Sequence, residues 1–365
     1  MPTDESLRRV GWRLWRRLRG NPRIDPFIAA ESLSLANAKQ LDKLAAPPAC
    51  GPLLDELTST FADWLATTEP AHWVQLVVLP PCDQSDVLRS WAVANKHPIV
   101  EPPERTSLLC RKPCEVELDG SQSLLVFPRL EHWFLRHHLG LNQLQQLLNQ
   151  LVEIEQHCIV GCNSWAWSYL SKALQTQLVL PSPLTFEAFD KDRLRNWLTD
   201  LSTSDDHSST FRFAKSGTEV YGEQANPKVT DDYFAKLAAR SLGIPWVAWH
   251  QWRRSLRISS EADHKVEERF PHERTVWVAD LADVRIPSDN MQAGLLMLQS
   301  LLIHDRLTAA ELAATVPDIQ CSNVLSALLN AEIVYRDGHE LRCDPAAYPA
   351  VRANLLAAGF PGDPL

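Results

Sequence analysis

No run of eighteen or more apolar residues occurs in the 365-residue sequence, so nothing in it reads as a membrane-spanning helix. The N-terminus is charged and lacks the apolar core and small-residue cleavage site of a secretory signal, so the expected location is cytoplasmic. There is no G-x-S-x-G, no H-E-x-x-H and no other Ser, Cys or His pairing at a spacing diagnostic of nucleophilic or metal chemistry. Positive charge is also short: 36 Lys and Arg stand against 45 Asp and Glu, a net charge of -9 that disfavours a general nucleic-acid binder. Eight Cys in such a chain are expected to be reduced. The two Cys-x3-Cys pairs, Cys110/Cys114 and Cys158/Cys162, read as buried thiols rather than as a zinc site. What is present, 45% apolar and 22% charged residues, is the profile of a soluble globular protein with room for two or three domains.

Residues 73 to 92, WVQLVVLPPCDQSDVLRSWA, organise the rest. Trp73 to Leu79 is a continuous apolar, β-branched-rich run, predicted to be a strand buried on both faces of a parallel sheet. Asp86 to Ala92 begins a helix. A strand, a tight loop and a helix form the frame of a P-loop, whose glycines let backbone N–H groups approach phosphates. In this loop, Pro80-Pro81-Cys82-Asp83-Gln84-Ser85, no glycine or lysine is present. With Ser85 at the metal-binding hydroxyl position, Gln84 stands where the lysine belongs and Asp83 where the last glycine belongs. Asp83 would put a carboxylate beside a phosphate, so phosphate binding is expected to be weak or absent. An ordinary α/β unit, which also carries a buried strand followed by a helix, is the plainer alternative.

Further strands are predicted at His97–Val100, Ser123–Phe127 and His157–Cys162, with helices over Leu53–Ala66, Leu139–Glu153 and Trp165–Leu174. This alternation predicts an α/β fold with a three-layer parallel sheet over 53–200. Before it, residues 1–52 hold a basic arm and a linker. Leu7, Val10, Leu14 and Leu18 share one helical face of the arm, Trp15 borders it, and Arg9, Arg13, Arg16 and Arg17 lie opposite. Trp12, Trp15, Arg13, Arg16 and Arg17 are interface candidates, for an anionic membrane surface, for a partner protein, or for the chain's own body. Residues 27 to 46 suggest one further helix. Residues 201–228 read as a polar loop ending in a surface hairpin around Ser216-Gly217.

These segments resemble P-loop ATPases of the AAA+ and STAND type. In that family a strand ends in Asp-Glu for metal and water, and a later strand ends in a polar residue that senses the γ-phosphate. Here Pro128 occupies the carboxylate place after Ser123–Phe127, Glu131 is out of register, and Asn163 matches the sensor. Residues 229–288 resemble the family's helical lid: a helix capped by Thr230, Gly243 at its end and Pro245 opening the next helix. Where the family places a nucleotide-contacting arginine, this chain has Ile244-Pro245-Trp246. Trp246, Trp249 and Trp252 are core or interface anchors. The resemblance implies ATP or ADP as cofactor, while the altered Asp83, Gln84, Ser85 and Asn163 set implies a vestigial site without one.

Residues 289–365 are predicted to form a winged helix: helices at Met291–His304, Thr308–Val316 and Cys321–Ala331, a hairpin turning at Asp337-Gly338, and a closing helix from Tyr348. Its third helix has no Lys or Arg, and from Asn290 onward four Arg stand against eight Asp and Glu. That charge opposes a major-groove role and favours contact with protein, in a homo- or hetero-oligomer. The expectation is therefore a scaffold or regulatory subunit with no catalytic residue and no metal. Two alternatives stay open: an ATPase switch completed by a partner subunit, and a winged-helix DNA-binding regulator.

Overall fold

The computed structural model describes residues 33–35, 50–109, 123–203, 209–221, 225–259, 274–287, 291–316 and 323–363. The arm residues Trp12, Arg13, Trp15, Arg16 and Arg17 and the Cys110/Cys114 pair lie outside the described residues.

Leu33–Leu35 forms strand β1, which corrects the helix expected over 27 to 46. Its Leu-Ser-Leu alternation pairs with a sheet edge, and that pairing outweighs local helix propensity. Helix α1 (Gly51–Leu65) has Pro52 in its first turn and buries Leu53, Leu57 and Phe61 along one face. There follow β2 (Val74–Leu79), α2 (Val87–Ala94), β3 (Leu124–Phe127), α3 (Asn142–Glu153), β4 (His157–Asn163) and α4 (Ser164–Ala173). β2 and β3 both run parallel to β4, giving the order β2-β4-β3 in an α/β core. Single parallel bridges extend both edges, Val77 to Leu184 beside β2 and Ile99 to Val126 beside β3. The strand expected at His97–Val100 thus shrinks to one bridge, because Pro98 has no N–H for a ladder and Pro102-Pro103 follow closely.

β4 has no solvated face, as a central parallel strand requires. A Cβ on its Gly161 would stand 2.1 Å from the Pro128 carbonyl oxygen and 2.6 Å from Leu88 Cδ2. Glycine therefore lets the chain leaving β3 and helix α2 close over the same point of β4. Cys158 and Cys162 on this strand are buried, free thiols, and burial pushes the Cys158 thiol up to about 12.

A second layer comprises α5 (Lys191–Thr203), β5 (Ser209–Phe213), α6 (Pro227–Ser241), α7 (Pro245–Ser255), β6 (Leu256–Ser259) and β7 (Arg274–Val278). Its mixed sheet has the order β1-β6-β7-β5. The turn expected at Ser216-Gly217 forms, but its flanks are not a surface excursion. Phe211, Phe213 and Val220 are buried, with ring centroids 5.3 Å apart for Phe213 and Tyr233 and 5.8 Å for Phe211 and Trp252. The alternating aromatics of Thr-Phe-Arg-Phe put one face of the strand on α6 and α7. Gly243, at φ +68 between those helices, packs where a Cβ would come within 2.9 Å of the Phe189 backbone.

The last segment contains α8 (Met291–His304), β8 (Arg306–Thr308), α9 (Ala309–Thr315), α10 (Val324–Asn330), β9 (Val334–Asp337), β10 (Glu340–Cys343) and α11 (Tyr348–Ala357). Its antiparallel sheet is ordered β8-β10-β9, and Thr308 and Glu311 form the expected capping box at α9. Among the described residues no helix is long and apolar enough to cross a membrane.

Candidate functional site

Leu79 and Asn163 are partners in register, so the loop after β2 and the end of β4 leave the sheet side by side. In parallel α/β sheets this carboxyl edge is where ligands bind. The loop that carries Asp83, Gln84 and Ser85 therefore leaves the sheet at the same edge as the strand-end residue Asn163.

Without glycine, the loop places two ordinary residues in left-handed backbone: Cys82 at φ 64 and Asp86, the N-cap of α2, at φ 47. Such conformations cost about 1–3 kcal/mol each and persist only where surroundings enforce them. Here they turn the Asp83 carboxylate back onto the helix start. Asp83 Oδ1 accepts from the Ser85 N–H at 3.0 Å and the Ser85 hydroxyl at 2.7 Å, and Oδ2 accepts from the Val87 N–H at 2.8 Å. The chain's own anion thus holds the donors that a helix N-terminus offers to a phosphate. Burial raises the Asp83 pKa, while Arg129 and these donors pull it down.

The counter-charge comes from just beyond β3. Arg129 is 8% exposed and lies among four carboxylates. Its Nε is 3.3 Å from Asp86, Nη2 is 3.6 Å from Asp83, and Nη1 is 3.3 Å from Glu131 and 3.6 Å from Asp305. Nη2 also donates to the Asp83 carbonyl oxygen. Burial would lower the Arg129 pKa, but the carboxylates, Asp305 foremost, hold it well above the ordinary value. Burial pushes Glu131 up to about 7 against the pull of Arg129. Burial would also raise Asp305, but Arg129 and its other polar neighbours outweigh that and hold it well below the usual carboxylate range. His132 Nε2 lies 3.7 Å from Asp305, and burial lowers this imidazole to about 4.

Asp305 belongs to the C-terminal segment, at φ 61 between α8 and β8, so the network joins that segment to the core. Other contacts repeat the link. Gln84 donates to the Tyr335 hydroxyl at 2.7 Å, and Asn163 Nδ2 donates to the Ile303 carbonyl at 3.3 Å. Asn163 is otherwise committed to structure: its Oδ1 caps α4 by accepting from the Ala166 N–H at 2.7 Å, and its own N–H donates to Glu131 at 3.0 Å. From the other side, the Trp246 indole N–H donates to the Pro81 carbonyl at 2.8 Å. The indoles of Trp249 and Trp252 donate no hydrogen bond to the described part of the loop. All three tryptophans are buried, at 7%, 2% and 0% exposure, so they pack parts of this chain against one another.

Arg129, Asp305 and Tyr335 are the site residues that the sequence reading missed. Arg129 carried a weak signal, since it stands one residue, Pro128, beyond an all-apolar strand, where a charge that is buried has to be paired. Asp305 and Tyr335 carried none, because only the docking of the C-terminal segment brings them in. Among the described residues no group of three or more His, Cys, Asp or Glu is placed to hold a metal ion.

No family model matches the chain, and no curated protein matches its sequence. Among solved structures, Cdc6p from Pyrobaculum aerophilum is 14% identical, covering 86% of this chain and 95% of its own, at a TM-score of 0.32. The Aeropyrum pernix ORC2 protein, in ADPNP–ADP complexes, is 10% identical over 94% and 98%, at 0.39. A point mutant of Thermotoga maritima RuvB is 13% identical over 90% and 97%, at 0.33. Likeness at this level assigns neither family nor activity to the chain.

Proposed function

We propose that this chain is a non-catalytic, AAA+/STAND-like scaffold or regulatory subunit, whose nucleotide site has been converted into an internal ion-pair joint. One observation carries the reading: the Asp83 carboxylate accepts from the N–H groups of Ser85 and Val87 and faces Arg129. A nucleotide phosphate entering that loop would have to displace a buried carboxylate already held by donors on the same residues. It would also meet Asp86, Glu131 and Asp305. The would-be sensor Asn163 and the lysine-position Gln84 are both bonded to the C-terminal segment.

On this reading, residues 53–200 are the altered P-loop-like core, 229–288 the lid and 289–365 a winged helix used for protein contact. Residues 1–52 are an accessory arm for a protein partner or a membrane surface. The setting is cytoplasmic. Calorimetry with ATP, ADP and GTP at millimolar concentration with magnesium tests it. No heat and no thermal shift are expected, and micromolar binding would overturn the reading in favour of a nucleotide-gated switch.

A further inference from the structure

The segment after α11 folds back over the core, and one side chain holds it there. The Asp363 carboxylate, 1% exposed, accepts from the Tyr348 hydroxyl at 2.7 Å, Arg352 Nε at 2.8 Å and the Ser164 hydroxyl at 3.0 Å. Ser164 opens α4 in the core, whereas Tyr348 and Arg352 stand on α11, so the three donors converge from two segments. One residue earlier, the Gly362 carbonyl accepts from the Ser168 hydroxyl at 2.9 Å. Ser164 and Tyr348 are themselves buried, at 0% and 1% exposure. The segment is thus fixed twice, by the acid and by the preceding backbone carbonyl.

The peptide of the chain fills the space there sparingly. Pro361 is exposed, and an unfilled cavity opens on each side. One, of about 280 Å³, is lined by Leu79, Phe186, Phe189, Ile244, Trp246 and Asp363 among others. The other, of about 230 Å³, is lined by Trp165, Tyr169, Ile303 and Pro361 among others. Gly359, at φ +80, gives the segment its swivel. A longer acidic peptide could keep the same carboxylate contacts and fill the apolar space that Pro361 and Gly362 leave open.

We propose that the groove between α4 and α11 is a docking site for an acidic peptide of a partner protein, occupied here in cis by residues 360–363. Tethering gives the internal segment a high effective concentration, so a partner peptide must outcompete it or await its release. The residues that hold the carboxylate, Ser164, Tyr348 and Arg352, make no contact in the Asp83–Arg129 ion-pair network, so the docking reading is tested separately from the nucleotide reading.

The probe is the synthetic octapeptide Ala-Gly-Phe-Pro-Gly-Asp-Pro-Leu, titrated calorimetrically into the native chain and into Asp363→Asn. Removing the internal carboxylate is expected to tighten peptide binding at least about tenfold, since a charge-assisted hydrogen bond is worth about that factor. The Asp-to-Asn form of the peptide, or the added substitution Arg352→Ala, is expected to abolish it. A folded Asp363→Asn chain that binds no peptide overturns the proposal. If that variant does not fold, hydrogen exchange on the native chain with millimolar peptide decides. Faster exchange at residues 359–363 supports displacement, and unchanged exchange overturns it.

Discussion

Arg129 faces Asp83, Asp86, Glu131 and Asp305, which would leave excess negative charge if all four were ionised. Glu131, pushed up to about 7, is the member that takes a proton most readily near neutrality. Replacing Arg129 by Met leaves buried carboxylates without their cation, so a loss of about 3–5 kcal/mol is expected in urea unfolding at pH 7.5. Within this network two groups contribute to the pH profile in opposite senses. Glu131 binds its proton more tightly folded than unfolded, so its contribution falls as pH rises from about 4.5 to about 7. His132 binds its proton less tightly folded, so its contribution falls as pH drops from about 6.5 to about 4. Glu131→Gln is therefore expected to remove the loss between about pH 4.5 and 7 and to expose the opposite histidine slope below pH 6.5. Unfolding curves between pH 4.5 and 8 measure this, with an effect of about 3 kcal/mol at stake. At this scale the sequence was half legible. The strand ends beside Asp83, Gln84, Ser85 and Asn163 were readable, whereas the Asp83–Arg129 pairing spans 46 residues and leaves no periodic trace.

Strands β2, β3 and β4 were readable because a strand buried on both faces is nearly all apolar, and Val-Gln-Leu-Val-Val-Leu breaks that run only at the half-buried Gln75. Their spatial order was not, since pairing depends on which side each crossover passes. β1 was misread because three residues carry too little pattern to outweigh helix-forming neighbours, and the β5 sheet because alternation does not say which partner covers it. Gly161 shows what the order imposes. Gly161→Ala would drive a methyl into the Pro128 carbonyl, which precedes Arg129, and into Leu88 on α2. A loss of about 1–3 kcal/mol is expected from overpacking, read as a lowered thermal midpoint. If Arg129 moves as well, Gly161→Ala and Arg129→Met should be non-additive in a double-mutant cycle.

Across the whole molecule, three segments meet over one loop: Trp246 from the α6–α7 hairpin, Tyr335 and Asp305 from the C-terminal segment, and Arg129 from the core itself. Asp305→Asn removes one carboxylate from that meeting point while keeping shape. It is expected to loosen the C-terminal segment from the core, measured as faster hydrogen exchange in α8 and β8, without creating nucleotide binding. The left-handed, glycine-free loop also constrains what substitution can do to it. Glycine at 83 would strip Arg129 of a partner, and a change at Gln84 would put its bond to Tyr335 at risk. A single substitution in the loop therefore disturbs a contact made by a residue far away in sequence, so the loop behaves as a lock whose parts can change only together.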